Sequence, residues 1–226
     1  MTCSDYRRIA RDRLQGNWAL SIGVAAIASI LGGLIIGNSF IPQFSFRIEG
    51  QDISNIRDLL NLISARSISA FGLGSLLGLA QFLIGGVIEL GFAGYLLKQH
   101  NRNDLQLQDL FSQFHRFGQG FAQKFLRNLY VALWSLLFVI PGIVKGYAYA
   151  MTPFIMAENP DMSASEAISA SVELMDGHKG ELFTLDLTFI GWSLLAALTC
   201  NIGHLALNPY INAAYAAFYK DLTTPK

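Results

Sequence analysis

Three long stretches of this chain contain no Asp, Glu, Lys or Arg: Leu14 to Phe46, Ser67 to Ile88, and Leu187 to Tyr219. A helix needs about 20 mostly apolar residues to cross a bilayer core, and 18 or more without charge already make a candidate. Each stretch passes that test. Composition points the same way, because 52% of the 226 residues are hydrophobic and only 14% are charged. Ordinary soluble domains carry about 25% charged residues, which water requires at their surface. The sequence therefore predicts an all-α, polytopic transmembrane helix bundle in the cytoplasmic membrane.

Apolar patterning divides the chain into about six spans, at 17–37, 69–97, 118–140, 143–158, 182–200 and 205–219. Between them, amphipathic surface helices are expected at 4–16, 104–117 and 163–176, with a further short one around Ile53, Ile56, Leu59, Leu60 and Ile63. The 104–117 segment leads a face rich in phenylalanine (Phe111, Phe114, Phe117, Phe121, Phe125), suited to the acyl boundary. Ser163 and Glu166 have capping-box spacing, which opens the last surface helix. Leu129 to Ala157 is too short for two full spans, and Pro141-Gly142 interrupts it. A hairpin with a short second arm is the preferred reading, and one long kinked helix is the competitor. The apolar run after Arg13 is too long for a cleaved signal and is read as a retained first span.

Basic residues set the orientation. Of the sixteen Lys and Arg, four (Arg7, Arg8, Arg11, Arg13) precede the first span, and most of the rest fall in segments on the same side in this topology. The expectation is N-in and C-in. Net charge is zero, so no nucleic-acid partner is expected. Cys3 and Cys200 stand too far apart in this topology for a structural disulfide.

Two carboxylates fall inside predicted spans, Glu89 and Asp186. Charge at that depth costs at least about 2.5 kcal/mol, so such groups face the bundle interior and have partners. Both sit in the inner half of the membrane in this topology. They form a candidate polar pocket open to the cytoplasmic side for a proton, cation or headgroup; the alternative is that each is held structurally. Arg11, Arg13, His178 and Lys179 are candidate partners for the acids, or headgroup contacts at the cytoplasmic surface. Pro141 and Gly142 mark the hairpin break. Gly-x-x-x-Gly spacings at Gly33, Gly74 and Gly142 suit close helix packing.

The blocks LWSLLFVIPGIVKGYAYAMTPFIMAENPDMSASEAISAS, ELMDGHKGELFTLDLTFIGW and NPYINAAYAAFY resemble a family of uncharacterised bacterial integral membrane proteins, defined as a domain of unknown function. The N-terminal RRIARDRLQGNW fits the same pattern. The IPGI turn and the EAISAS helix are more weakly similar to the membrane domain attached to some glycerophosphodiester phosphodiesterases. The catalytic domain of those enzymes has no counterpart here, so the resemblance implies a membrane fold and no phosphodiesterase activity. Sequence motifs for P-loop, zincin and serine-hydrolase chemistry are absent. The expected function is that of a non-enzymatic module binding membrane lipids or a membrane-protein partner, without cofactor or metal. The alternative is a small transporter or permease subunit using Glu89 and Asp186.

Overall fold

A computed structural model describes residues 2–32, 73–101, 105–137, 139–198 and 202–224. The expected surface helix at Ile53 to Ile63, the ends of the first two spans at 33–37 and 69–72, and Cys200 lie outside them. Every regular element among the described residues is helical, so the protein is all-α.

Helix α1 (Cys3–Leu14) opens with Asp5 accepting from the Thr2 backbone N–H at 2.9 Å and its hydroxyl at 2.7 Å. These bonds hold the Asp5 carboxyl below its usual range. Tyr6, Ala10 and Leu14, four residues apart, form its buried face. Gly16 takes φ 85°, open to glycine at little cost, and α2 (Trp18–Gly32) leaves at 102° to α1.

The 28-residue α3 (Leu73–His100) is the central element and touches α2 along its length. Two glycines let backbones press onto it. A methyl at Gly86 would fall 2.1 Å from the Gly120 carbonyl oxygen, and one at Gly91 would fall 1.9 Å from that of Leu110. Beyond α3, the expected interfacial helix at 104–117 is replaced in the described residues by two short 3-10 turns, Leu107–Phe111 and Phe114–Arg116. Tertiary ties override the helical period there. Asp109 pairs with Lys98, and the Arg116 guanidinium donates to the Met156 carbonyl at 3.1 Å.

Next come α4 (Phe117–Leu137) and α5 (Val139–Ala148). A Cβ on Gly142 would lie 2.8 Å from Ser135 Cα, and Lys145 Nζ lies 5.0 Å from the Trp134 ring. On one straight helix these pairs would stand roughly 10 and 16 Å apart. The chain therefore doubles back. Pro141 sits in the first turn of α5, where its missing N–H has no helical partner to lose. The second arm, expected as one helix over 143–158, is split. α5 is only about 15 Å long; a turn follows, and α6 (Thr152–Glu158) restarts with Pro153 near its N-terminus.

The capping box opens α7 (Ala164–Leu174): Ser163 N–H donates to Glu166 at 2.8 Å, and Glu166 N–H donates to the Ser163 hydroxyl at 3.3 Å. Gly177, at φ 78°, turns the chain into α8 (Lys179–Leu198), which packs against α9 (Ile202–Thr223). Helix α9 also lies along α1, where the Tyr6 hydroxyl donates to Asp221 at 2.6 Å. Among the described residues, one helix meets the length and hydropathy of a membrane span on its own, Gln81–His100. The α1–α2 pair meets them only if taken as one bent span.

Candidate functional site

Polar chemistry collects at three places in this bundle. The first surrounds Asp186 on α8, which is 9% exposed. Tyr147 of α5 donates to Oδ2 at 2.8 Å, and Tyr215 of α9 donates to Oδ1 at 2.5 Å. Each phenol has one proton to give, and both go to the carboxylate. Three helices are thereby joined at one buried point, with the Phe183 ring edge-on to Tyr147 at 5.9 Å.

The second lies in the seam between α3 and α4, just past the Gly86–Gly120 crossing. Glu89 stands three residues after Gly86; Gln123 and Arg127 stand three and seven after Gly120. These offsets put all of them on the contact faces. The Arg127 guanidinium meets Glu89 Oε1 at 2.7 Å, both side chains being close to 10% exposed. Lys124 adds its charge to the same neighbourhood. Gln123 is fully buried with no hydrogen-bond partner on either amide atom, and Glu89 Oε2 and Arg127 Nη1 also have none.

The third is a cavity of about 680 Å³ bounded by α1, α2, α8 and α9. Ser4, Arg7 and Arg11 line its α1 side, at positions that share a helix face. Trp18, Trp192, Leu195, Leu207 and Tyr210 contribute apolar and aromatic wall. Arg7 Nε is buried there without a hydrogen-bond partner.

The structure separates residues that sequence reasoning grouped. Glu89 and Asp186 are not one pair, since each has its own partners on different helices. At the start of α8, Lys179 pairs with Asp176 at 3.2 Å, and His178 lies 3.5 Å from Glu181 with its Nδ1 making no hydrogen bond. Arg11 lines the cavity, whereas Arg13 is close to His100 at the end of α3. Arg127 is the basic partner missed for Glu89. Gln123 and Arg127 share one face four residues apart, but Gln119, Lys124 and Asn128 make the same half of the helix polar all round, so that stripe did not stand out. Tyr147 and Tyr215 carried no signal either. Among the described residues no three His, Cys, Asp or Glu side chains gather as a metal site would require.

These features define, among the described residues, an all-helical bundle with an apolar core, a few buried charges and several exposed apolar stripes. Residues 136–226, from the hairpin to the C-terminal end, match the family described as "Protein of unknown function (DUF975)". No curated protein and no solved structure matches the chain.

Proposed function

We propose that this is a multi-pass protein of the cytoplasmic membrane, a bundle of about six spans with both termini on the cytoplasmic side. We further propose that it acts as a non-enzymatic module that binds membrane lipid or a membrane partner. One observation carries the reading. Helix α8 exposes Phe183, Leu187, Ile190 and Leu194 at three- and four-residue intervals, and α4 exposes Phe125, Leu129 and Leu133 likewise. Each helix also buries one charged residue on its other face, Asp186 and Arg127. Water favours the opposite arrangement, and continuous exposed apolar stripes mark a surface that meets lipid or protein.

The test is extraction and orientation. Membranes washed at alkaline pH should retain the chain, and reporters fused after Asn101 and at the C-terminus should face the same, cytoplasmic side. Release by the wash, or reporters on opposite sides, would sink the reading.

A transporter built on Glu89 and Asp186 is the second reading, favoured by the unpartnered atoms of Glu89, Gln123 and Arg127 in the α3–α4 seam. Buried polar groups are almost always satisfied, by protein, water or ligand. Under this reading Glu89→Gln abolishes flux while the amount of folded protein is unchanged. The module reading expects lipid binding to survive that substitution.

A further inference from the structure

We infer that the cavity between α1, α2, α8 and α9 is a binding site for one anionic glycerophospholipid, its phosphate held by Arg7 and Arg11 and its acyl chains lying between α8 and α9. This names the ligand class of the membrane module proposed above and rests on that reading.

The cavity is polar at one end and apolar along its length. Arg7, Arg11 and the Ser4 hydroxyl supply the polar groups on the α1 side, and no carboxylate is among the described lining residues. The lining residues of α9 are Gly203, Ala206, Leu207 and Tyr210, a stripe at three- and four-residue intervals about 10 Å long. Helix α8 supplies Trp192, Leu195 and Ala196 at the same spacing. Two parallel stripes of this kind make a trough along the helix axes rather than a compact pocket. The small residues on α9 leave width for a chain, while Trp18 and Tyr210 stand 6.5 Å apart near the arginines.

Charge and position choose the occupant. Helix α1 meets α2 at 102° and brings its arginines to one side of the cavity, with the apolar walls of α8 and α9 beyond them, as a headgroup with its chains would require. Arg7 Nε is buried without a partner, a donor still to be satisfied. Guanidinium groups bind phosphate in forked, charge-assisted pairs. A soluble anion would satisfy the arginines but leave the apolar trough uncovered; a neutral lipid would cover the trough and leave the arginines unmatched. At about 680 Å³ the cavity lies within the usual range of ligand sites.

The experiment uses the full chain reconstituted into vesicles, with Trp134→Phe so that the two remaining tryptophans, Trp18 and Trp192, both line the cavity. Their fluorescence is quenched by lipids brominated on the acyl chain, either phosphatidylglycerol or phosphatidylcholine. Brominated phosphatidylglycerol should quench preferentially. Arg7→Gln with Arg11→Gln should lose the preference, by about five-fold per arginine, corresponding to about 1 kcal/mol for a basic group near a charged surface. Arg8→Gln should keep it, because Arg8 faces away and pairs with Asp5 at 3.0 Å. Ala206→Phe, which fills the trough and leaves both arginines in place, should also lose it, so the idea does not hang on one variant folding. Equal quenching by both lipids, or a preference that survives the double substitution, overturns the site. So does a preference abolished by soluble glycerol phosphate, which would make it a site for a free anion. If the chain does not float with the vesicles at all, the membrane reading has failed instead.

Discussion

Asp186 is a carboxylate whose two oxygens are both spoken for, and that shapes what its substitution should do. In Asp186→Asn one acceptor becomes an N–H donor facing a tyrosine hydroxyl, so a buried bond is lost. Such a loss costs about 1–3 kcal/mol. Asp186→Asn and Tyr215→Phe should each lower the apparent Tm of the purified protein in mild detergent. The double variant should fall by less than the two losses combined, because both remove the same bond. Strict additivity would count against the Tyr215–Asp186 contact. The aspartate was conspicuous in the sequence as a lone acid in an apolar helix, but its partners were not. Tyr147 lies 39 residues away and Tyr215 lies 29 away. Pairing over such separations is set by how helices pack, which no local period encodes. Glu89 was conspicuous for the same reason, and its real partner Arg127 was hidden because it belongs to a segment that also reads as a basic surface.

Among elements, the firmest constraint is the crossing of α3 and α4. Backbone meets backbone at Gly86 and Gly120, which brings Glu89 within reach of Arg127. Gly86→Ala forces the helices apart, and overpacking of this sort costs about 1–3 kcal/mol. Gly94→Ala is the matched control, since a methyl there meets nothing within 4 Å and alanine favours helix. Thermal melts should show the first variant well below wild type and the second at or above it. Equal melting of the two would mean that the close crossing is not a constraint in solution. Sequence reading found the helical class and most helix positions from apolar period, and it placed the α7 cap from residue chemistry alone. It favoured a hairpin from Pro141-Gly142, but the split of the second arm at Tyr149 to Met151 was illegible. That turn is stabilised by tertiary and local bonds, such as the Thr152 hydroxyl to the Tyr149 carbonyl at 2.9 Å, that leave no periodic trace. Of the spaced glycines, Gly142 does sit in a close contact, against Ser135 of α4, but the crossing at Gly86 and Gly120 lies outside those spacings, since a spacing names one helix and a contact needs two.

For the whole molecule, one end of the bundle is tied by groups from several helices. Tyr6 bonds Asp221, Glu158 accepts from Tyr219 at 2.8 Å and pairs with Lys220, and His100 lies near Arg13 and Lys220. Burial, with the charges of Arg13 and Lys220, holds the His100 pKa below its ordinary 6.5. A depressed histidine is favoured neutral in the folded state. Its contribution is therefore present above about pH 6.5 and lost as pH falls through that value toward the folded pKa. Wild type should lose more apparent Tm between pH 7.5 and 5.5 than His100→Gln does. An identical loss in both would show that His100 does not sense pH in this fold.

The Tyr6–Asp221 bond has a consequence that needs no counting of spans. It fixes residues 6 and 221 to a single face of any barrier the chain traverses. A path that leaves one face and returns to it must pass through an even number of times. On the membrane reading proposed above, the parity of the crossings is thus decided by one hydroxyl and one carboxylate.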